Sequence, residues 1–197
     1  AAAWCNSTGN QLISKETAGG KSVVVIEKGE PKSCNIVTSC EGKGKTFIMF
    51  SDDLDKALAT FVLANGAAAT GQKVTIFFTF WGLNVIKKLH KPNVEKDIFG
   101  KMFGMMLPSS SRKLKLSKMS MGGIGGKMMR YIMNRKGIDS LESLRQQALE
   151  NGVEFIACQM SMDVMGVKQE ELLDEVTIGG VATYMERADN ANINLFI

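Results

Sequence analysis

The run KVTIFFTF at residues 73–80 is apolar on both faces of any strand it forms. Such a strand must be covered from above and below, which is how parallel strands lie between helices. The rest of the chain repeats that demand. KTFIMF at 45–50 and VEFIA at 153–157 are further short apolar runs, and EVTIGG and INLFI follow at 175–180 and 193–197. Segments of helical period separate them. LDKALATFVLANGAAAT at 54–70 sets Leu54, Leu58, Phe61, Val62 and Asn65 at helical spacing, with Ser51 or Asp52 to cap its start and Gly71 to stop it. WGLNVIKKLH at 81–90 starts another helix, SLESLRQQALENG at 140–152 is an amphipathic one ending on Gly152, and VATYMERADN at 181–190 is a last. This alternation predicts an α/β fold of three layers, a mainly parallel sheet flanked by helices joined through right-handed crossovers.

The first 30 residues follow a different rule. NQLISKE and KSVVVIEKG, joined by TAGG, read as a β-hairpin. A bare hairpin is marginal in water, so residues 1–30 look like the back half of a small domain. Residues 31–44, polar and glycine-containing, read as a linker, and residues 45–197 as the main domain. At 197 residues the chain has enough length for one complete domain and a smaller piece.

In open parallel sheets, ligands collect beyond the carboxyl ends of the strands. Those ends fall at Ser51-Asp52-Asp53, Trp81-Gly82, Cys158-Gln159 and Gly179-Gly180. Cys158 therefore belongs on the functional rim, before a short helix at SMDVMG, where backbone amides favour a thiolate. Free cysteine is also among the most buried residue types, so packing and chemistry are both open for it. The other cysteines are weaker candidates. Cys34 and Cys40 stand in the linker, where a disulfide, a relay or plain exposure would fit, and Cys5 beside Trp4 reads as packing. The sole histidine, His90, has no partner, and two thiols need further ligands, so no metal is expected. No cofactor is expected either. MGGIGGKM resembles a phosphate loop but has Met121 where glycine is needed and Met128 where a hydroxyl is needed. No serine sits in a nucleophile elbow. Neither a signal peptide nor a membrane span is apparent, and a reducing, cytoplasmic setting is the expectation.

Charge is uneven. Between Gly100 and Gly137 stand nine basic residues and no acidic one, so taking nine from the net +4 leaves about −5 for the rest. The same segment holds eight of the 13 methionines. It reads as an insertion at about 100–137, too long and biased for an ordinary crossover loop. Its basic amphipathic helix places Lys127, Met128, Arg130 and Met133 as partner-binding candidates. That face can pack on its own domain, bind a protein partner or a second copy, or lie at an anionic membrane surface. Nucleic acid is not expected, because few aromatics interleave the charges.

Several motifs together resemble a known family. FIMFSDDLDKALATFVLANGAAATGQKVTIFFTFWGLNVIKK, KMFGMM, LSKMSMGGIGGKMMRYIM, EFIACQMSMDVMG and IGGVATYMERA are similar to the DsrE/DsrF/DrsH-like family, in its larger form with a methionine-rich insertion. The opening residues, through WCNSTGN and the hairpin, resemble the carboxyl-terminal half of a TusA-like sulfur carrier. They lack the Cys-Pro motif of such carriers, so this part should be inert as a carrier. The resemblance implies a flavodoxin-like topology and a persulfide-handling protein with Cys158 as sulfur acceptor. It implies TusA-like or rhodanese-like donors and acceptors, and a homo-oligomer, trimeric or hexameric. Gln159, Ser161 and the amides after them are candidates to stabilise the sulfur anion, while Asp52, Asp53, Trp81, Gly179 and Gly180 are placed by their strand-end positions. The alternative is a non-catalytic adaptor working through the insertion. A disulfide reductase using Cys34 and Cys40 is the third reading.

Overall fold

The computed structural model describes residues 11–18, 21–27, 44–90, 92, 94, 102, 104, 106–118 and 121–197. The chain divides into two units, Ala1–Glu41 and Gly42–Ile197. In the first, β1 (Gln11–Ala18) and β2 (Lys21–Glu27) pair antiparallel, Ala18 opposite Lys21. Cys5, Cys34 and Cys40 lie outside the described residues.

The second unit alternates strand and helix. β3 (Gly44–Met49), α1 (Leu54–Ala69) and β4 (Val74–Phe78) come first, then a 3-10 helix at Phe80–Ile86. After α2 (Ile124–Arg135) and α3 (Leu141–Glu150) follow β5 (Glu154–Cys158), α4 (Gln159–Met165), β6 (Thr177–Gly179), α5 (Val181–Asp189) and β7 (Ala191–Phe196). The five strands are all parallel, in the order β6-β5-β4-β3-β7. Counted within this sheet the order is 4-3-2-1-5, where flavodoxin has 2-1-3-4-5.

That order decides which face each helix covers. From β3 to β6 the chain steps one way across the sheet, so right-handed crossovers put their helices on one face. Only the step from β6 back to β7 runs the other way, and it carries α5 to the opposite face. Strand residues alternate between faces accordingly. Phe47, Met49, Ile76, Phe78, Phe155 and Ala157 face Leu54 and Phe61 of α1, Leu141 and Ala148 of α3, and Met162 and Met165 of α4 in the main core. Phe77, Ile156 and Cys158 form a smaller cluster with Tyr184 of α5. Within this unit and among the described residues, α5 is the one helix on that second face.

Local chemistry sets the boundaries. Asp53, not Ser51 or Asp52, is the N-cap of α1, and its side chain makes no capping bond. Ser51 Oγ instead accepts from the Asp53 amide at 3.1 Å and donates to the Asp53 carboxylate at 2.8 Å, which closes a local turn and moves the cap one residue on. Gly71, at φ 77°, ends the helix. Ser140 caps α3 by accepting from the Ser143 amide.

The segment expected as a helix from Trp81 is a tighter 3-10 helix whose residues Gly82–Ile86 are buried in succession, with no solvent face for an α-helix to present. Phe80 enters it at φ 46°. The Gly82 amide donates to Phe50 O at 2.8 Å, and a Cβ on Gly82 would stand 1.9 Å from Met49 O. The turn is pressed against the end of β3.

The basic insertion folds back onto its own unit. Lys115 O accepts from the Leu54 amide at 2.7 Å, and Asp55 accepts from the Ser117 amide at 2.9 Å. Leu107, Leu114 and Met133 are buried.

Candidate functional site

β5 delivers Cys158 to the carboxyl rim of the sheet, where it is also the N-cap of α4. Ser161, on the first turn of α4, is fully buried and shares a hydrogen bond of 2.8 Å with Thr79 at the end of β4. That link fixes α4 over the strand ends. It also occupies the Ser161 hydroxyl, as Asp163 occupies the Gln159 amide at 3.0 Å. Each of these candidate anion stabilisers thus has one partner within the fold, and Gln159 keeps a second N–H. The thiol itself is 2% exposed, packed with Phe77, Ile156 and Tyr184. Cys158 pairs with Gly179 in the register of β5 and β6, and a Cβ on Gly179 would meet Ile156 Cγ2 at 2.8 Å. Gly180, exposed, is the N-cap of α5.

Two groups not singled out from the sequence complete this side. The Tyr184 ring lies 5.2 Å from that of Phe77, and its hydroxyl is 3.3 Å from Thr46 Oγ1. Arg187, one helical turn on, donates to both oxygens of Glu154 at 2.9 and 3.2 Å. Thr75 also donates to Glu154, at 2.8 Å. Burial pushes the Glu154 carboxyl up, but the bonds from Arg187 and Thr75 outweigh it and hold the group below its ordinary value.

Asp52, Asp53 and Trp81 meet elsewhere. They line a cavity of about 610 Å³ whose other wall is the insertion, including Leu107, Lys113 and Lys115. Cys158 is not among its lining residues. Burial raises the Asp52 carboxyl above the usual aspartate range and the neighbouring Asp53 charge adds to this, against a hydrogen bond from Asn84 at 2.9 Å. Asp53 pairs with Lys56 at 2.7 Å, and Trp81 is 44% exposed. The strand-end rule thus gathers its candidates into two places. Lys113 and Lys115 were visible only as part of a charge run.

The insertion helix α2 splits its four candidates. Lys127 and Met128 are exposed, but Met133 is buried, and Arg130 turns inward to donate to Glu142 at 3.0 Å and to Ser111 O at 2.9 Å. Glu142 supplies the reason, because burial pushes its carboxyl up while the Arg130 charge and the bonds it receives bring it below the ordinary value. Ser111 reaches the same carboxylate at 3.0 Å. In place of Arg130 and Met133, Ile124, Tyr131 and Ile132 stand exposed with Met128. Among the described residues no group of three or more His, Cys, Asp and Glu is placed to hold a metal, and no helix is long and apolar enough to cross a membrane.

Residues 42–196 match the DsrE/DsrF/DrsH-like family, which is most of the chain. The chain belongs to that family. Two relatives are matched over almost their whole length. One is YrkE of Bacillus subtilis, an uncharacterized protein 44% identical over 155 residues, which are 79% of this chain and 97% of YrkE. The other is the sulfur carrier protein DsrE2 of Allochromatium vinosum, 38% identical over 161 residues, 80% of this chain and 99% of DsrE2. Among solved structures, the ychN protein from E. coli is 11% identical with a TM-score of 0.47, covering 78% of this chain and 99% of ychN. The family match begins at residue 42, so the hairpin unit lies outside it.

Proposed function

We propose that the DsrE-like unit is a sulfur-relay protein that carries sulfane sulfur as a persulfide on Cys158. The observation that carries this reading is the place of the thiol: a cysteine ending an inner strand of a parallel sheet at its carboxyl rim, capping a helix, inside the span matched by the family. The name of DsrE2, a sulfur carrier, supports it. In the reaction the Cys158 thiolate attacks the outer sulfur of a donor persulfide. The donor's S–S bond breaks, its inner sulfur leaves as a thiolate, and Cys158 becomes the persulfide. An acceptor thiolate then takes that outer sulfur by the same exchange, returning the Cys158 thiolate. The partners in this reading are sulfur-relay proteins of TusA-like or rhodanese-like type, in a cytoplasmic setting. The amino-terminal unit is the back half of a TusA-like domain, and the whole chain works as a trimer or hexamer.

Incubation with polysulfide is expected to add the mass of one sulfur atom to the Cys158 peptide, and Cys158→Ser is expected to abolish the gain. A wild-type peptide that stays unmodified for more than about 1,000 times the period that modifies the urea-unfolded chain would count against the reading.

A second reading rests on α2. Its exposed Ile124, Met128, Tyr131 and Ile132 beside Lys127 make a cationic apolar face without a partner in the described structure. Such a face suits an adaptor that docks an acidic partner protein or an anionic membrane surface. Met128→Glu with Tyr131→Glu is then expected to weaken co-sedimentation with vesicles containing anionic phosphatidylglycerol, or cross-linking to acidic partner proteins, by about tenfold. Equal behaviour of wild type and double variant in both assays would exclude it.

A further inference from the structure

A thiol that is 2% exposed does not meet a protein-borne persulfide, because exchange requires the attacking sulfur to reach its target in line with the bond that breaks. We propose that α5 is a gate over Cys158, and that rolling it to withdraw Tyr184 uncovers the sulfur. The purpose of this gate rests on the persulfide reading; its geometry and its test do not.

Three observations support it. The first is what covers the thiol. Phe77 and Ile156 belong to the sheet and cannot leave without dismantling it, so Tyr184 is the movable member of the cluster. The second is how little holds α5 down. Tyr184 is the one buried residue among its nine, while Val181, Ala182, Met185 and Glu186 are exposed; α1 buries five residues. A helix with so few buried contacts belongs to the low-stability end of a fold, where local opening occurs. Its fastenings are the Tyr184 ring on Phe77, the Tyr184 hydroxyl against Thr46, the half-buried Ala188 on the same cluster, and the Arg187–Glu154 pair at its far end.

The third is how the two ends are held. At the entry Gly179 is paired with Cys158 in the sheet, and only Gly180 is open, a Cβ built there meeting nothing within 4 Å. At the exit Asn190 O is held by the Gly44 amide at 2.8 Å. With the chain held at both ends, the helix rolls about its axis more readily than it swings away. A roll of that kind takes Tyr184 off the thiol and leaves the sheet intact.

The test uses the full chain with Cys5, Cys34 and Cys40 changed to serine, so that N-ethylmaleimide reads Cys158 alone by intact mass. Native protein is expected to label about 100-fold more slowly than the same protein in urea. Arg187→Gln is expected to speed native labelling about threefold, as loss of a half-exposed ion pair allows. Tyr184→Ala is expected to speed it tenfold or more, ~10-fold being what one buried ring against another holds shut. In both variants hydrogen exchange in α1 and β4 is to stay at wild-type protection. Native labelling within threefold of the urea rate overturns the gate, as do unchanged rates in both variants. Acceleration matched by an equal loss of protection in α1 and β4 also overturns it, since that is global unfolding. If Tyr184→Ala labels fast yet gains no sulfur from polysulfide, the gate stands and the persulfide reading falls.

Discussion

Gly82→Ala is expected to lose more than about 4 kcal/mol of stability and to yield little folded protein, a larger effect than ordinary core truncations give. The cause is a backbone approach. A Cβ at this position would sit 1.9 Å from Met49 O and 2.7 Å from Met49 C, and both are strand atoms of β3 that cannot step aside. The Gly82 amide is meanwhile bonded to Phe50 O, so the turn cannot back away without losing that bond. Gly66→Ala is the control. Gly66 lies inside α1 with nothing within 4 Å of an added Cβ, and alanine there is expected to gain roughly 0.5–1 kcal/mol. Urea denaturation of the two variants measures both signs. A Gly82→Ala protein with the urea midpoint of wild type would mean that β3 and the 3-10 helix do not meet as described.

Phe155→Ala should cost about 3–5 kcal/mol. Phe155 stands 5.7 Å from Phe61 and 5.3 Å from Phe78, and those two rings are 6.5 Å apart, so one truncation opens the middle of a three-ring contact. Its effect on the thiol separates it from the gate variants. Phe155 faces the main core while Cys158, three residues on, faces α5. Faster labelling of Cys158 in Phe155→Ala should therefore track global unfolding, with protection in α1 falling in step. Phe155→Leu, which keeps most of the volume, is expected to lose less than about 1.5 kcal/mol. Equal losses for the two variants would argue that the ring triangle is not closely packed.

The parts of this fold that were legible before the structure are those written in consecutive residues. VEFIA announces a buried strand, and the residue after it must sit at the strand's end, so the position of Cys158 followed from local pattern. Its cover did not. Tyr184 joins the thiol's cluster because α5 crosses from one edge of the sheet to the other, and nothing near VEFIA encodes that path. The 3-10 helix at Phe80–Ile86 was read as α because apolar residues dominate it; the close approach of Gly82 to β3, which forbids a regular helix, is a contact between distant segments. Arg130 and Met133 turn away from solvent through contacts of the same kind. Helical spacing puts them with Lys127 and Met128, but Glu142 and Ser111, 12 and 19 positions away, draw Arg130 inward. The cavity holding Asp52, Asp53 and Trp81 needed the folded-back insertion to supply its far wall.

The place of β7 bears on how the molecule is made. β3 lies between β4 and β7, and Lys45 and Asn192, bonded across those strands, are 147 positions apart. A ribosome needs roughly 7–30 s to add that many residues. For all of that time β3 has at most one neighbour instead of two, and its apolar edge is bare to other chains. α5 arrives only just before β7, so Cys158 emerges uncovered as well. Each newly made chain therefore passes through a form in which Cys158 is open before α5 is there to cover it.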